Sequence, residues 1–373
     1  MWFSATFALV AAACGGESVR HENSGSLDSG TQDSGTQASG TDQSSVPERL
    51  YAANFDAGEL SGFDIDVQTG TLAPLPDSPF FSLFQPVALA VAPDHSRLYV
   101  GGGSALWAYA IDRDSGALTK LSEGTLGRYV AVQRLLAEPS GKFLFSANSG
   151  EGAGGSLVTL SADAALTQLG SVPTPFPPSD LAVDASGHFL YVASVYGQDG
   201  DIEGFAVNAS AGTLTPVPGS PFDRYQAVAI ATVGDKVYIC DQFAFLHWYR
   251  IDAQTGTLTE VARAVYTGTN PFTAVPDHSG HHLFVGNWSA GSISEYALQP
   301  TTGLPSDVPG SPFPVGDNPL LYAIDASDGF LYMTNQFTRS IRGFATASRG
   351  ELVEVGGSPF DTGSYVTAAV AVP

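Results

Sequence analysis

The sequence predicts an all-β protein built as a closed ring of seven similar sheets, and three observations carry that expectation. A short phrase, Leu50-Tyr51-Ala52-Ala53-Asn54, returns as Leu98-Tyr99, Leu144-Phe145, Leu190-Tyr191, Val237-Tyr238, Leu283-Phe284 and Leu331-Tyr332, with intervals of 48, 46, 46, 47, 46 and 48 residues between the aromatic rings. Each interval holds four apolar runs separated by turn residues. The repeating part also opens with the second strand of a unit and closes with a first strand. Four short strands at a period in the mid-forties form the pattern of a seven-bladed β-propeller with four-stranded blades.

The second unit shows the pattern strand by strand. Pro86-Val87-Ala88-Leu89-Ala90-Val91 is an apolar first strand, and Pro93-Asp94-His95-Ser96 is a turn. Arg97-Leu98-Tyr99-Val100 is the second strand and is followed by the turn Gly101-Gly102-Gly103-Ser104. Leu106 to Ile111 alternates as a half-buried strand does. Asp112-Arg113-Asp114-Ser115-Gly116 is a tight turn in which Asx and Gly supply positive φ. Leu118-Thr119-Lys120-Leu121 is the outermost strand.

The turn before the fourth strand recurs as Thr69-Gly70-Thr71-Leu72, Gly212-Thr213-Leu214, Thr255-Gly256-Thr257-Leu258 and Gly350-Glu351-Leu352. A second marker follows that strand: Ser78-Pro79-Phe80, Thr174-Pro175-Phe176, then Gly-Ser-Pro-Phe ending at Phe222, Phe313 and Phe360. Pro sets the exit from the edge strand, and Phe fills the gap between neighbouring sheets. The strand Tyr365 to Ala371 completes the sheet begun by Arg49 to Asn54, so the ring closes and an open edge disappears.

With 15 Lys plus Arg against 37 Asp plus Glu, the formal charge is −22. Such a surface repels phosphate backbones and anionic headgroups, which excludes nucleic-acid binding. Of the two cysteines, Cys240 lies in an apolar strand and behaves as a small hydrophobe.

Residues 2–13 form a short apolar run ending in Ala11-Ala12-Ala13-Cys14-Gly15, although no Lys or Arg precedes it. The run is too short to span a bilayer and fits a signal-peptide core. Small residues before a Cys resemble the lipobox of bacterial lipoproteins, which implies lipidation of Cys14. Residues 15–46 repeat Asp-Ser-Gly-Thr-Gln and hold almost no large apolar side chain. They cannot offset the entropy of ordering and read as a flexible tether. The expected organisation is therefore a signal over 1–14, a disordered tether over 15–46 and the propeller over 47–373. The expected location is extracytoplasmic, on a bacterial outer membrane or cell surface through the lipid anchor.

The Leu-Tyr-x-x-Asn strand, the Asp-x-x-Thr-Gly-x-Leu turn and the Gly-Ser-Pro-Phe phrase together resemble the seven-bladed lactonase family over about residues 47–373. That family includes 6-phosphogluconolactonase-type enzymes, and the chain is also similar to YVTN-type surface propellers. The resemblance implies a lactonase-type hydrolase. Enzymes of the family carry Pro-Arg-His at the start of an innermost strand. The matching positions here read Pro86-Val87-Ala88, Val132-Gln133-Arg134, Pro178-Ser179-Asp180, Tyr225-Gln226-Ala227, Pro271-Phe272-Thr273, Pro319-Leu320-Leu321 and Val366-Thr367-Ala368. The leading expectation is thus a monomeric propeller that binds a small molecule (a lactone or sugar) or a protein at one face. Hydrolysis of a lactone is the alternative.

A propeller's ligands sit at one mouth of its channel, built from loops entering the first strands and leaving the second strands. Arg134 and Asp180 occupy equivalent places in adjacent units and offer an anion-binding and base pair. For lactone hydrolysis, Arg134 would stabilise the oxyanion and Asp180 or Asp241 would activate water. Arg128, Tyr129, Arg224, Tyr225, Trp288 and Asp317 complete the candidate ligand-binding set. His95, His188, His278, His281 and His282 fall in turns on the opposite face. The acidic run Asp199-Gly200-Asp201-Ile202-Glu203 has too few spaced ligands for a defined Ca²⁺ loop. Neither a cofactor nor a metal is expected.

Overall fold

The computed structural model describes residues 47–373 except 82, 128–129, 151–153, 196–200, 223–225, 262–263, 336–337 and 348–350. The expected signal, Cys14 and the tether lie outside the described residues.

Seven antiparallel sheets follow one another along the chain. Counted from the N-terminal sheet, the innermost strands of blades 1 to 7 are Val366–Val372, Pro86–Val91, Ala131–Ala137, Pro178–Val183, Ala227–Val233, Pro271–Pro276 and Pro319–Ile324. In every blade the next strand outward carries the recurrent aromatic residue. Blade 1 combines three N-terminal strands with the C-terminal one: Arg49 pairs with Val372 and Asn54 with Val366. The ring closes as the phase of the repeat requires.

The core is not central. Seven apolar clusters each lie between two neighbouring blades. Every blade is apolar on both faces because both faces are covered, and each interface is a separate core.

The repeated motifs hold these interfaces. The Tyr51 hydroxyl donates to the Gly116 carbonyl of the next blade at 2.7 Å, Tyr191 to Gly256 at 2.7 Å, Tyr238 to Gly303 at 2.7 Å and Tyr332 to Gly70 at 3.0 Å. The Thr-Gly turn of one blade is thus the acceptor for the aromatic phrase of its neighbour. Glycine is needed there: Gly256 has φ 72°, and a Cβ would stand 2.3 Å from the Phe189 ring. Phe145 occupies the same place in blade 3 without a hydroxyl. Tyr238→Phe should therefore keep the packing, leave a buried carbonyl unpaired and cost about 1–2 kcal/mol. A melting midpoint equal to wild type would contradict the latch.

The Ser-Pro-Phe phrase acts in two ways. Its serine hydroxyl takes a backbone amide of the third strand: Ser78 from Gly62, Ser220 from Gly204, Ser311 from Glu295 and Ser358 from Gly343. Its phenylalanine closes the gap, with Phe80 joining Tyr51 and Tyr109 across blades 1 and 2. The structure adds that Phe313–Pro314 and Phe360–Asp361 pair back onto their third strands as short fifth strands, as Val265–Tyr266 does in blade 5.

Candidate functional site

The innermost strands carry a β-bulge near their entry into the channel. In blades 2 to 6 the register shifts between Pro86 and Ala88, Val132 and Arg134, Pro178 and Asp180, Ala227 and Ala229, and Pro271 and Thr273. A bulge bends its strand and re-aims the next side chain. Arg134 and Asp180 are the first residues past this bulge in neighbouring blades, opposite Ala147 and Ala193 respectively.

The structure brings these two together. Arg134 Nε lies 3.6 Å from Asp180 Oδ1, with the side chains 38% and 23% exposed. Arg134 Nη1 also donates to the Gln133 carbonyl at 3.0 Å. Asp180 Oδ1 accepts the Leu181 amide at 3.0 Å, and Oδ2 accepts the Ile230 amide of blade 5 at 3.1 Å. One carboxylate therefore ties three blades. Burial pushes the Asp180 carboxyl above the usual range, and Arg134 and the two amides only partly reverse this. A partly exposed ion pair at this distance adds little stability. Its consequence is placement: a cation and a carboxylate of raised basicity, side by side and open to solvent.

Tyr322 of blade 7 lies within electrostatic reach of Arg134. Its hydroxyl donates to the Val366 carbonyl at 3.2 Å. Burial drives its ionisation well above the usual range, with Tyr365 acting the same way and the charge of Arg134 opposing it. The phenol thus lies within the field of the guanidinium. Sequence reasoning missed it because the blade 7 bulge falls between Leu321 and Ala323, out of step with blades 2 to 6.

Asp241, the other candidate base, is engaged elsewhere. Its Oδ1 accepts the amides of Phe243, Ala244 and Phe245 at 2.9, 2.9 and 3.0 Å, and Oδ2 lies 3.1 Å from His247 Nε2. Burial opposes its ionisation, but the His247 bond and the three amides outweigh that and hold the carboxyl below the usual range. It fastens the hairpin turn as the motif asparagine does in blade 1, where Asn54 Nδ2 donates to Ser61 Oγ. Trp288 is half-buried in the corresponding turn of blade 6, its amide bonded to the Asn270 carbonyl at 2.8 Å. Asp317 is exposed, and its carbonyl accepts Asn335 Nδ2 at 2.6 Å. Arg128, Tyr129, Arg224 and Tyr225 lie outside the described residues. Cys240 is fully buried in the cluster between blades 5 and 6, and burial pushes its thiol up.

The opposite face carries different chemistry. A cleft of about 430 Å³ between blades 5 and 6 is lined by Asp235, Lys236, Asp277, His278 and His281. Lys236 is already paired with Asp235, and His278 Nδ1 binds Asp328 Oδ1 at 2.8 Å across to blade 7. These contacts engage the Lys236 ammonium within its own turn and tie the His278 turn to blade 7. Among the described residues no three His, Cys, Asp or Glu gather as a metal group.

Glu203, on the third strand of blade 4, is 9% exposed, and burial followed by the charge of Asp201 pushes its carboxyl up to about 7. A raised acid stabilises the fold while protonated. Its contribution is fully present below about 4.5 and is lost as the pH rises through about 7. The shift corresponds to roughly 3 kcal/mol. Glu203→Gln should raise the melting midpoint at pH 8 by several degrees and change it little at pH 4.5. An equal effect at both pH values would contradict this assignment.

Residues 218–321 match the family model described as "Lactonase, 7-bladed beta-propeller". No curated protein matches the chain. Among solved structures, a putative 6-phosphogluconolactonase from Bacteroides uniformis superposes with a TM-score of 0.72 at 14% identity, over 88% of this chain and 100% of the other. One from Bacteroides fragilis gives 0.72 at 16% identity over 90% and 100%. The periplasmic gluconolactonase PpgL of Pseudomonas aeruginosa gives 0.70 at 18% identity over 87% and 99%. At such identities the superpositions establish fold alone. The chain is a seven-bladed β-propeller of the lactonase fold, and its residues 218–321 carry the sequence pattern of the lactonase propeller family.

Proposed function

We propose that this propeller binds a small lactone, of the aldonolactone class, at its channel mouth and hydrolyses it to the hydroxy acid. The observation that carries this reading is the Arg134–Asp180 pair: a guanidinium and a carboxylate of raised basicity that face the channel together. Asp180 accepts hydrogen bonds from the Leu181 and Ile230 amides, with Arg134 Nε 3.6 Å away, and a carboxylate has about four acceptor sites, so room remains for a water. Asp180 takes a proton from that water as its oxygen attacks the lactone carbonyl carbon. Arg134 stabilises the oxyanion that forms. As the ring C–O bond breaks, protonated Asp180 returns the proton to the leaving oxygen. Tyr322 stays neutral and bounds the site. The lactonase family match and the gluconolactonase among the structural neighbours support the substrate class. Acid release from a panel of lactones, including glucono-1,5-lactone, tests the reading. Turnover of at least one is expected; none across the panel would contradict it.

A second reading is binding without turnover, and one observation favours it. Both oxygens of Asp180 accept backbone amides of the ring and one faces Arg134, as a brace between blades would. A lactone that binds in calorimetry and is recovered intact would establish that reading in place of hydrolysis.

The lipobox-like Ala12-Ala13-Cys14 and the polar residues 15–46 support an extracytoplasmic, lipid-tethered protein. Palmitate should label the wild-type chain and not Cys14→Ser; an unlabelled wild type would remove the anchor.

A further inference from the structure

Four innermost strands are entered through a residue in the left-handed backbone region, and none of the four is glycine. Gln85 precedes the strand of blade 2, Gln226 that of blade 5, Asn270 that of blade 6 and Asn318 that of blade 7, with φ of 44°, 53°, 58° and 54°. All four side chains are carboxamides. They stand at the end of the innermost strands where Arg134 and Asp180 follow their bulges. The turn leaving the second strand holds this entry: the Gln226 carbonyl accepts the Gln242 amide at 3.1 Å, and the Asn270 carbonyl accepts the Trp288 amide at 2.8 Å. In ring order, Gln85 and Gln226 flank the two blades of Arg134 and Asp180, and Asn270 and Asn318 continue round the mouth.

Glycine takes a left-handed backbone at no steric cost, as Gly256 and Gly303 do in the turns. Asn tolerates that region, but Gln has no such preference. A polar side chain held there ordinarily gains a hydrogen bond to its own stretch of backbone. These four gain none. Among the described residues the Gln85, Gln226 and Asn318 carboxamides have no hydrogen-bond partner, and Asn270 reaches only Ser289 Oγ, at 3.4 Å. Gln226 is the sharpest case, because it is only 8% exposed. A buried carboxamide without a partner is unfavourable. Backbone strain and unmet polarity at one channel mouth mark a place that a ligand completes.

We propose that Gln85, Gln226, Asn270 and Asn318 read the hydroxyl groups of the ligand, so that the mouth selects a polyhydroxylated ring over an alkyl lactone of the same ring size. The inference rests on the lactone reading for the ring it places there. A carboxamide donates and accepts hydrogen bonds, and so does a sugar hydroxyl, so neutral amides match neutral hydroxyls. The formal charge of −22 suits an uncharged ring better than an anionic one. A site built to bond hydroxyls also rejects the analogue that lacks them, because its amides are then left unpaired. The four amides set specificity, and hydrolysis stays with Arg134 and Asp180.

D-Glucono-1,5-lactam keeps the ring and its hydroxyls and does not hydrolyse, and 2-piperidone is the same ring without them. Calorimetry of the full chain should show the gluconolactam binding at least about tenfold more tightly than 2-piperidone. Gln226→Gly should weaken the gluconolactam by about tenfold, and Asn318→Gly by a smaller factor. Asn318→Gly should melt no lower than wild type, because glycine relieves the left-handed backbone; a merely structural amide would lower the midpoint and leave the affinity alone. Equal affinity for the two lactams would overturn the proposal, as would no binding to wild type or both variants binding like wild type. Should Gln226→Gly not fold, unchanged affinity in Asn318→Gly would overturn it. Gluconolactam binding without turnover of any lactone would remove hydrolysis and leave the amide site. Equal kcat/KM for lactones with and without hydroxyls would remove the amide site and leave hydrolysis.

Discussion

A chain ending at residue 363 should lose its cooperative melting transition, or melt more than about 20 °C below the full chain. Val366–Val372 contributes six paired positions to blade 1 and buries Val366, Ala369 and Val372 to 0%, 5% and 4% exposure. It also belongs to two separate cores. Val366 and Ala369 pack between blades 7 and 1, while Val372 packs between blades 1 and 2. At about 1 kcal/mol per ladder hydrogen bond and about 1.5–3 kcal/mol per buried aliphatic side chain, the strand is worth on the order of 10 kcal/mol. That is comparable to the whole stability of a typical domain, about 5–15 kcal/mol. In addition, Glu48–Asn54 would become an open strand edge. Removal of residues 47–53 should act the same way, because the closure is a pairing. A truncated chain that melts like the full one would show that six interfaces suffice.

The second large effect is expected at Arg134. With Arg134→Ala, kcat/KM for the lactone should fall by about 10²–10³, the usual cost of removing one oxyanion donor. The fold should survive, since the ion pair is partly exposed and Asp180 keeps its two amide donors. Arg134→Lys should recover only part of the loss, because an ammonium does not reproduce the planar fork. The acid limb of the pH–rate profile should fall above the range of an ordinary aspartate, because burial raises Asp180 and the base must be ionised. In Arg134→Ala the limb should move higher still, since the charge that lowers Asp180 is gone. A limb unmoved by the substitution would separate the two residues functionally.

The architecture was legible in the sequence because a propeller repeats one physical solution. Tyr51, Tyr191, Tyr238 and Tyr332 answer the same turn carbonyl of the next blade, and Tyr99 answers the Ala162 carbonyl at the start of that turn in blade 3, so their spacing reports the ring directly. The phase of that repeat foretold the closure through Val366–Val372. The role of Ser78 and its equivalents as amide acceptors was not legible, because it depends on a chain that folds back onto its own sheet. The pairing of Arg134 with Asp180 was legible for the same reason as the fold: equivalent positions in adjacent blades converge at the axis. Tyr322 was hidden by its displaced bulge. Asp241 illustrates the converse, since its place in the motif aligned it with channel-mouth chemistry while its carboxylate serves the turn.

The most direct test compares lactone hydrolysis by the wild-type chain and by Asp180→Asn under identical conditions, with melting curves recorded for both. Asparagine keeps the shape of the side chain but cannot take a proton from water, and its single oxygen can accept only one of the Leu181 and Ile230 amides. Loss of about 10²–10⁴ in kcat with a cooperative melt retained, at a midpoint a few degrees lower, is the expected result. Equal turnover by the two proteins would contradict the assignment of hydrolysis to this pair.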